Sequence, residues 1–165
     1  MPIDVVAIEQ WKRVRTDRDD LSGNVKIRLF LLGGHVTQEH NEISKQVGIL
    51  GSELLILFAL RRSGSASELR PTDLLKSLLV PSATMARHLN QLEKLKLVKR
   101  RNNPNDRRGY LFKLTLRGMQ VADKALEISH KTSFIDTALS SFTKKEKAAL
   151  DQMLAKLLSK ADAPR

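Results

Sequence analysis

The stretch Leu97-Val98-Lys99-Arg100-Arg101-Asn102-Asn103-Pro104-Asn105-Asp106-Arg107-Arg108-Gly109-Tyr110-Leu111-Phe112-Lys113-Leu114-Thr115 decides how this chain folds. Leu97 to Arg101 predicts a strand, and Asn102 to Asp106 is dense in turn formers. Tyr110, Phe112 and Leu114 then alternate with Leu111, Lys113 and Thr115 on a returning strand. A period of two occurs here, whereas apolar residues elsewhere recur at helical spacing. The prediction is one hairpin in a mainly helical protein, with Arg107 and Arg108 at its tip.

Upstream, Pro71 suits the first position of a helix and Asp73 the positive end of its dipole, with Leu74, Leu75, Leu78 and Leu79 as an apolar face. Pro81-Ser82 breaks the chain again, and Ser82 is a natural cap for a helix reaching about Leu95. Met85, Leu89, Leu92 and Leu95 form its inward stripe, which leaves Thr84, Arg87, His88, Gln91 and Lys94 for the other face. A short helix, a tight turn and a second helix with a polar, basic face make a helix-turn-helix, in which the second helix enters the DNA major groove. A basic hairpin directly after it is the wing of a winged helix.

The outer segments read as helices. Ser52 to Leu60 is apolar almost all round, as a central buried helix is, and stops at Arg61-Arg62-Ser63-Gly64. Val25, Leu29, Leu32 and Val36 share one face of a helix over Val25–Val47, which the pair Gly33-Gly34 is expected to weaken or bend. Gly118 precedes a helix carrying Met119, Ala122 and Leu126. Thr143-Lys144-Lys145-Glu146 is a capping box opening a last helix with Leu150, Met153, Leu154, Leu157 and Leu158. The first twenty residues predict a short amphipathic arm. The fold class is thus mainly α with a small β wing, divided into residues 1–48, a winged helix-turn-helix over 49–117, and helices over 118–165.

The chain has 165 residues, 41% hydrophobic and 28% charged, which is ordinary globular chemistry. It contains no cysteine, which excludes disulfides, thiolate metal sites and cysteine-based peroxide sensing. No apolar run reaches the roughly 18 residues of a spanning helix, so the expectation is a soluble, cytoplasmic protein with no membrane partner. Net charge is +11, and its placement is informative. Residues 61–117 hold fourteen basic and four acidic side chains, an excess of ten, while the remainder holds fifteen and fourteen. One binding module for a polyanion sits on a nearly neutral scaffold. A glycine-rich phosphate loop, a nucleophile elbow and a His-Glu-x-x-His pair are all missing, so no enzyme is expected. His35, Glu39, His40 and Glu42 are candidate metal ligands, but with no cysteine a solvated polar face is the better reading, so no metal is assigned.

The segment Asn103 to Thr115 resembles the wing signature of the MarR (multiple antibiotic resistance regulator) family, an Asp-x-Arg followed by an alternating strand ending in Leu-Thr. Thr84-Met85-Ala86-Arg87-His88-Leu89-Asn90-Gln91-Leu92-Glu93 is similar to that family's recognition helix. Lys96 departs from the pattern, since many members have Gly there to end the helix; in a left-handed conformation it costs roughly 1 kcal/mol. The resemblance implies a homodimer formed by Val25–Val47 and the two C-terminal helices, Met119–Ser140 and Thr143–Lys160. Apolar stripes that one chain cannot bury point the same way. It also implies a repressor released by a small aromatic or phenolic anionic effector; no tightly held cofactor is expected.

The expected DNA contacts follow from docking geometry. Ser82, Thr84, Arg87 and His88 face the major groove, where Arg87 pairs with guanine O6 and N7 or meets phosphate, whereas a histidine such as His88 is more often packed or solvated than a base reader. Arg107 and Arg108 form the wing tip, with Arg108 in a narrow minor groove and Asp106 holding its guanidinium or the loop. Lys99 and Arg101, with Arg100 and Lys113, serve phosphates. The function expected is a sequence-specific regulator binding palindromic duplex DNA as a homodimer. A winged-helix protein-interaction module is the alternative, and a ribonucleoprotein structural protein a weaker one.

Overall fold

The computed structural model describes residues 20–64, 68–78, 82–104 and 106–161, together with Val6 and Gln10. The arm predicted over the first twenty residues therefore lies almost wholly outside them. In order come α1 (Asp20–Gln46), α2 (Gly51–Arg62), α3 (Pro71–Ser77), α4 (Ser82–Lys94), β1 (Val98–Asn103), β2 (Asp106–Leu114), α5 (Leu116–Thr132), α6 (Phe134–Leu139) and α7 (Lys144–Ala161). The class is the one expected, helical with a two-stranded antiparallel sheet. The chain forms two compact units, residues 1–129 and 130–165. Gly118, Ala122 and Ala125 of α5 are buried.

The first unit is built around α2. Leu54, Ile56, Leu57 and Leu60 of this helix are fully buried, and Leu74 of α3, Met85, Leu89 and Leu92 of α4, and Phe112 and Leu114 of β2 join them in one core. Each such side chain contributes about 1.5–3 kcal/mol through apolar burial. Pro71 opens α3 as predicted, and the Asp73 carboxylate accepts a hydrogen bond from the Arg70 backbone N–H (3.1 Å).

Two helices of this unit end in the same six-to-one closure. After α1, Gly48 (φ 76°) lets the Ile49 N–H reach the Ser44 carbonyl at 3.1 Å. After α4, the left-handed position is taken by Lys96 (φ 58°), with Lys96 N–H on Glu93 O and Leu97 N–H on Leu92 O, both 2.9 Å. Leu92 and Leu97, which flank this turn, are both buried. The departure noted in the sequence is thus a left-handed lysine. The hydroxyl of Thr115 donates to the Lys96 carbonyl (2.7 Å) and accepts from the Gly118 N–H (3.0 Å), tying the turn to the start of α5.

α1 runs unbroken through Gly33 and Gly34, since 27 residues of continuous hydrogen bonding outweigh two glycines worth about 1 kcal/mol each. Two expectations are corrected. The helix expected over Met119–Ser140 is broken at Ser133, whose hydroxyl accepts from the Asp136 N–H (3.2 Å) and caps α6. The hairpin extends further toward its tip than predicted. Asn102 pairs with Tyr110 and Asn103 with Asp106, with an irregularity between them. Leu69 adds a bridge to Phe112 through two 2.9 Å backbone bonds, so a single residue before α3 lies along β2. Among the described residues no single helix is long and apolar enough to cross a membrane; α1 and α2 together pass by length and composition but bend by 87°.

In the second unit the capping box holds as expected. Thr143 N–H donates to Glu146 Oε2 (2.8 Å), and the Glu146 N–H returns a bond to Thr143 Oγ1 (3.3 Å). These bonds to Thr143 hold the Glu146 carboxyl below its ordinary 4.5.

Candidate nucleic-acid interface

Three elements of the first unit bring cationic side chains to the surface: α4, the hairpin and the approach to α3. Along α4, Met85, His88, Leu89 and Leu92 are buried, and Arg87, Asn90, Gln91 and Lys94 are exposed. The exposed set follows i, i+3, i+4 and i+7, one continuous helical stripe. Arg87 lies on this exposed stripe. Thr84 is half-buried, and the side chain of Ser82 lies outside the described set.

His88 is a correction. It is only 6% exposed, and its Nε2 lies 3.0 Å from Ser52 Oγ. Its Nδ1 is 3.6 Å from Glu53 Oε1. It therefore faces α2 and not the groove. The spacing 85, 88, 89, 92 places it on the apolar stripe, as a packed histidine. Asn90 also lies on the exposed stripe, where the same spacing places it.

On the hairpin, Lys99 is exposed, and Arg101 forms an ion pair with Glu68 (Nε to Oε2 2.5 Å). Lys113 Nζ stands 3.5 Å from the other oxygen of the same carboxylate. Two of the expected phosphate ligands are thus already held by one acid, which the Leu69 bridge places beside them. Arg100 lies over the Tyr110 ring, 3.3 Å from its centroid, a cation–π contact across the strands. The Asp106 carboxylate overlies Gly109, where a Cβ would stand 2.8 Å from Oδ2. That glycine leaves room for the acid at the base of the tip. The side chains of Arg107 and Arg108 lie outside the described set. Behind the hairpin, Arg70 chelates Asp73 (2.9 and 3.0 Å), which holds that carboxyl below its ordinary 3.8, chiefly by the guanidinium hydrogen bonds.

A helix pair whose second member shows an arginine-bearing polar stripe, followed by a basic antiparallel hairpin, defines a winged helix-turn-helix module of the nucleic-acid-binding class. A sequence model of the MarR family matches residues 47–109. An HTH-type transcriptional regulator of Bacillus subtilis, YdgJ, is 33% identical over 110 residues, 67% of this chain and 64% of that protein, just under two thirds of its length. The regulator PecS of Dickeya dadantii is 25% identical over 91% of this chain and 89% of its own. The repressor MprA of Escherichia coli is 28% identical over 94% and 89%. Among solved structures, a mutant MarR from E. coli complexed with operator DNA aligns with a TM-score of 0.67 at 26% identity, covering 79% of this chain and 90% of its own. MepR of Staphylococcus aureus aligns with a TM-score of 0.73 at 21% identity over 84% and 98%, a likeness of fold. The chain is thus similar to the MarR family of winged-helix regulators, in sequence over residues 47–109 and in fold over most of its length.

Proposed function

We propose that this protein is a sequence-specific transcription regulator that binds palindromic duplex DNA as a homodimer, with α4 in the major groove and the hairpin tip toward the adjacent minor groove. The observation that carries the reading is the exposed stripe Arg87, Asn90, Gln91 and Lys94 on the helix that precedes a basic hairpin. Arg87, Asn90 and Gln91 are the side-chain types that read purine edges in the major groove. An interaction module would present apolar side chains there. Arg108 in the minor groove, with Asp106 at the base of the tip, remains part of the proposal, as do phosphate contacts by Lys99 and Arg107.

The homodimer is supported by apolar surface within each unit. On α1, Phe30 is 81% and Leu21 73% exposed, and on α7 Met153 and Leu158 are each more than 60% exposed. Patches of that kind mark an interface. Repression is supported by the name of MprA, and release by an aromatic or phenolic anion completes the proposed cycle. No catalytic role is assigned, in keeping with a family of regulators, and the site of action is the cytoplasm, where DNA is reached.

Selection from a pool of randomised duplexes, followed by fluorescence titration of the enriched sequence across salt, tests the reading. The expected result is an enriched palindrome, with affinity falling by about 10³ to 10⁵ from low to moderate salt. Absence of enrichment, or a flat salt response, sinks it. Arg87→Ala and Arg108→Ala each weaken binding to that duplex, and sedimentation of the free protein reports the dimer.

A further inference from the structure

We propose that His88 is a positioning residue of the recognition helix: locked to the first turn of α2 by Ser52 and Glu53, it fixes the roll of α4 and thereby the direction in which Arg87 and Gln91 point. The inference rests on α4 being the DNA-reading helix.

His88 occupies a place on the inward stripe, between Met85 and Leu89, where a leucine would bury equally well. Instead the imidazole and the Glu53 carboxylate, with side chains 7% and 3% exposed, are enclosed together. The network is satisfied throughout. Nε2 meets Ser52 Oγ at 3.0 Å, Nδ1 faces Glu53 Oε1, and Glu53 Oε2 accepts the Leu50 N–H at 3.0 Å. No described buried side-chain nitrogen or oxygen lacks a partner. A buried polar network of this kind specifies one arrangement where an apolar stripe permits several.

The geometry says what is specified. Side chains reach about 5–6 Å from a helix axis, so a roll of roughly 20° moves their ends by about 2 Å. Leucines slide over a neighbouring helix through that distance, whereas a 3.0 Å hydrogen bond is lost. Arg87 precedes His88 by one residue and Gln91 follows by three, so both turn with it as one rigid set. The anchor is itself fixed from the opposite side. His40 Nε2 of α1 lies 2.8 Å from the Gly51 carbonyl, and Asn41 Oδ1 packs so close to Gly51 that a Cβ there would be 2.3 Å away. The first turn of α2 is thus gripped between α1 and α4.

The test uses the full chain, the duplex enriched by the wild type and an unrelated duplex of equal length at the same salt. Ser52→Ala and His88→Leu each lower the ratio of specific to non-specific affinity about five- to ten-fold, the effect of one lost buried hydrogen bond. Non-specific affinity, set by phosphate contacts, stays as in the wild type. The double variant is no worse than His88→Leu alone, because that substitution already removes the Ser52 bond. His88→Gln, whose amide can still bond Ser52, restores most of the ratio. The inference is overturned if Ser52→Ala keeps the wild-type ratio, or if specific and non-specific binding fall together with melting temperature, which is a purely structural loss. A wild type that enriches no sequence overturns the DNA-binding reading itself, an outcome distinct from a wild type that selects DNA alongside variants that read it unchanged.

Discussion

Gly118 lies directly against the carbonyl oxygen of Leu97: a Cβ added there would stand 1.9 Å from that oxygen and 2.9 Å from its carbon. Both neighbours are backbone, at the point where α5 crosses the start of β1, so nothing flexible can yield. Gly118→Ala therefore destabilises the first unit by about 3 kcal/mol or more, the upper range for forced overpacking. Urea unfolding followed by circular dichroism measures this. A midpoint equal to wild type would show that α5 can shift off the strand at no cost.

Lys96 calls for the opposite substitution. Its φ of 58° is strained for a residue with a Cβ, and the turn's hydrogen bonds are backbone bonds that glycine keeps. Lys96→Gly is expected to stabilise by up to about 1 kcal/mol, less the entropy glycine gains when unfolded. A rise in melting temperature of about 2–4 °C follows. A fall would mean that the lysine side chain compensates for the strain.

Glu68 holds Arg101 and Lys113 together, so on the proposed function DNA phosphates would compete with it for both cations. Glu68→Gln should tighten binding to any duplex several-fold at low salt and steepen the salt dependence, with little change in stability because the arginine is half exposed. Weaker binding would instead assign Glu68 the task of orienting Arg101.

Acid should loosen the link between α2 and α5. Arg61 and Asp123 form a two-pronged pair at 2.7 and 3.2 Å, and the guanidinium hydrogen bond holds the Asp123 carboxyl below its ordinary 3.8. A group depressed in the folded state stabilises above its unfolded pKa and loses that contribution as pH falls through the folded value. Melting temperature should therefore fall more steeply below pH 3.8 in the wild type than in Asp123→Asn. Parallel curves would assign acid sensitivity to other carboxylates.

Periodicity made the helical core and the hairpin legible, because burial on one face leaves a repeat of 3.6 or 2 in the residues themselves. What escaped was decided by single contacts. Ser133 breaks a helical run with one side-chain cap. Leu69 joins the sheet through two backbone bonds that leave no residue pattern. For the interface, the exposure of Arg87 followed from helical spacing, and the same spacing puts His88 inside although its polarity points outward. The pairing of Arg101 with Glu68 joins residues far apart in the chain and had no local signal.

The peptide unit at Leu97 is where several structures meet. Its N–H closes α4, its carbonyl accepts the Thr115 N–H (3.1 Å) at the far end of the hairpin, and α5 rests on the same oxygen. Helix and wing thus share a common origin, like two arms of a caliper with a fixed gap. On the proposed function, a duplex must present its two grooves at that separation. Inserting a single base pair between the positions proposed to meet helix and wing in a half-site would then not be absorbed by adjusting one arm alone, and the spacing of the binding sequence would be as much a determinant of recognition as its letters.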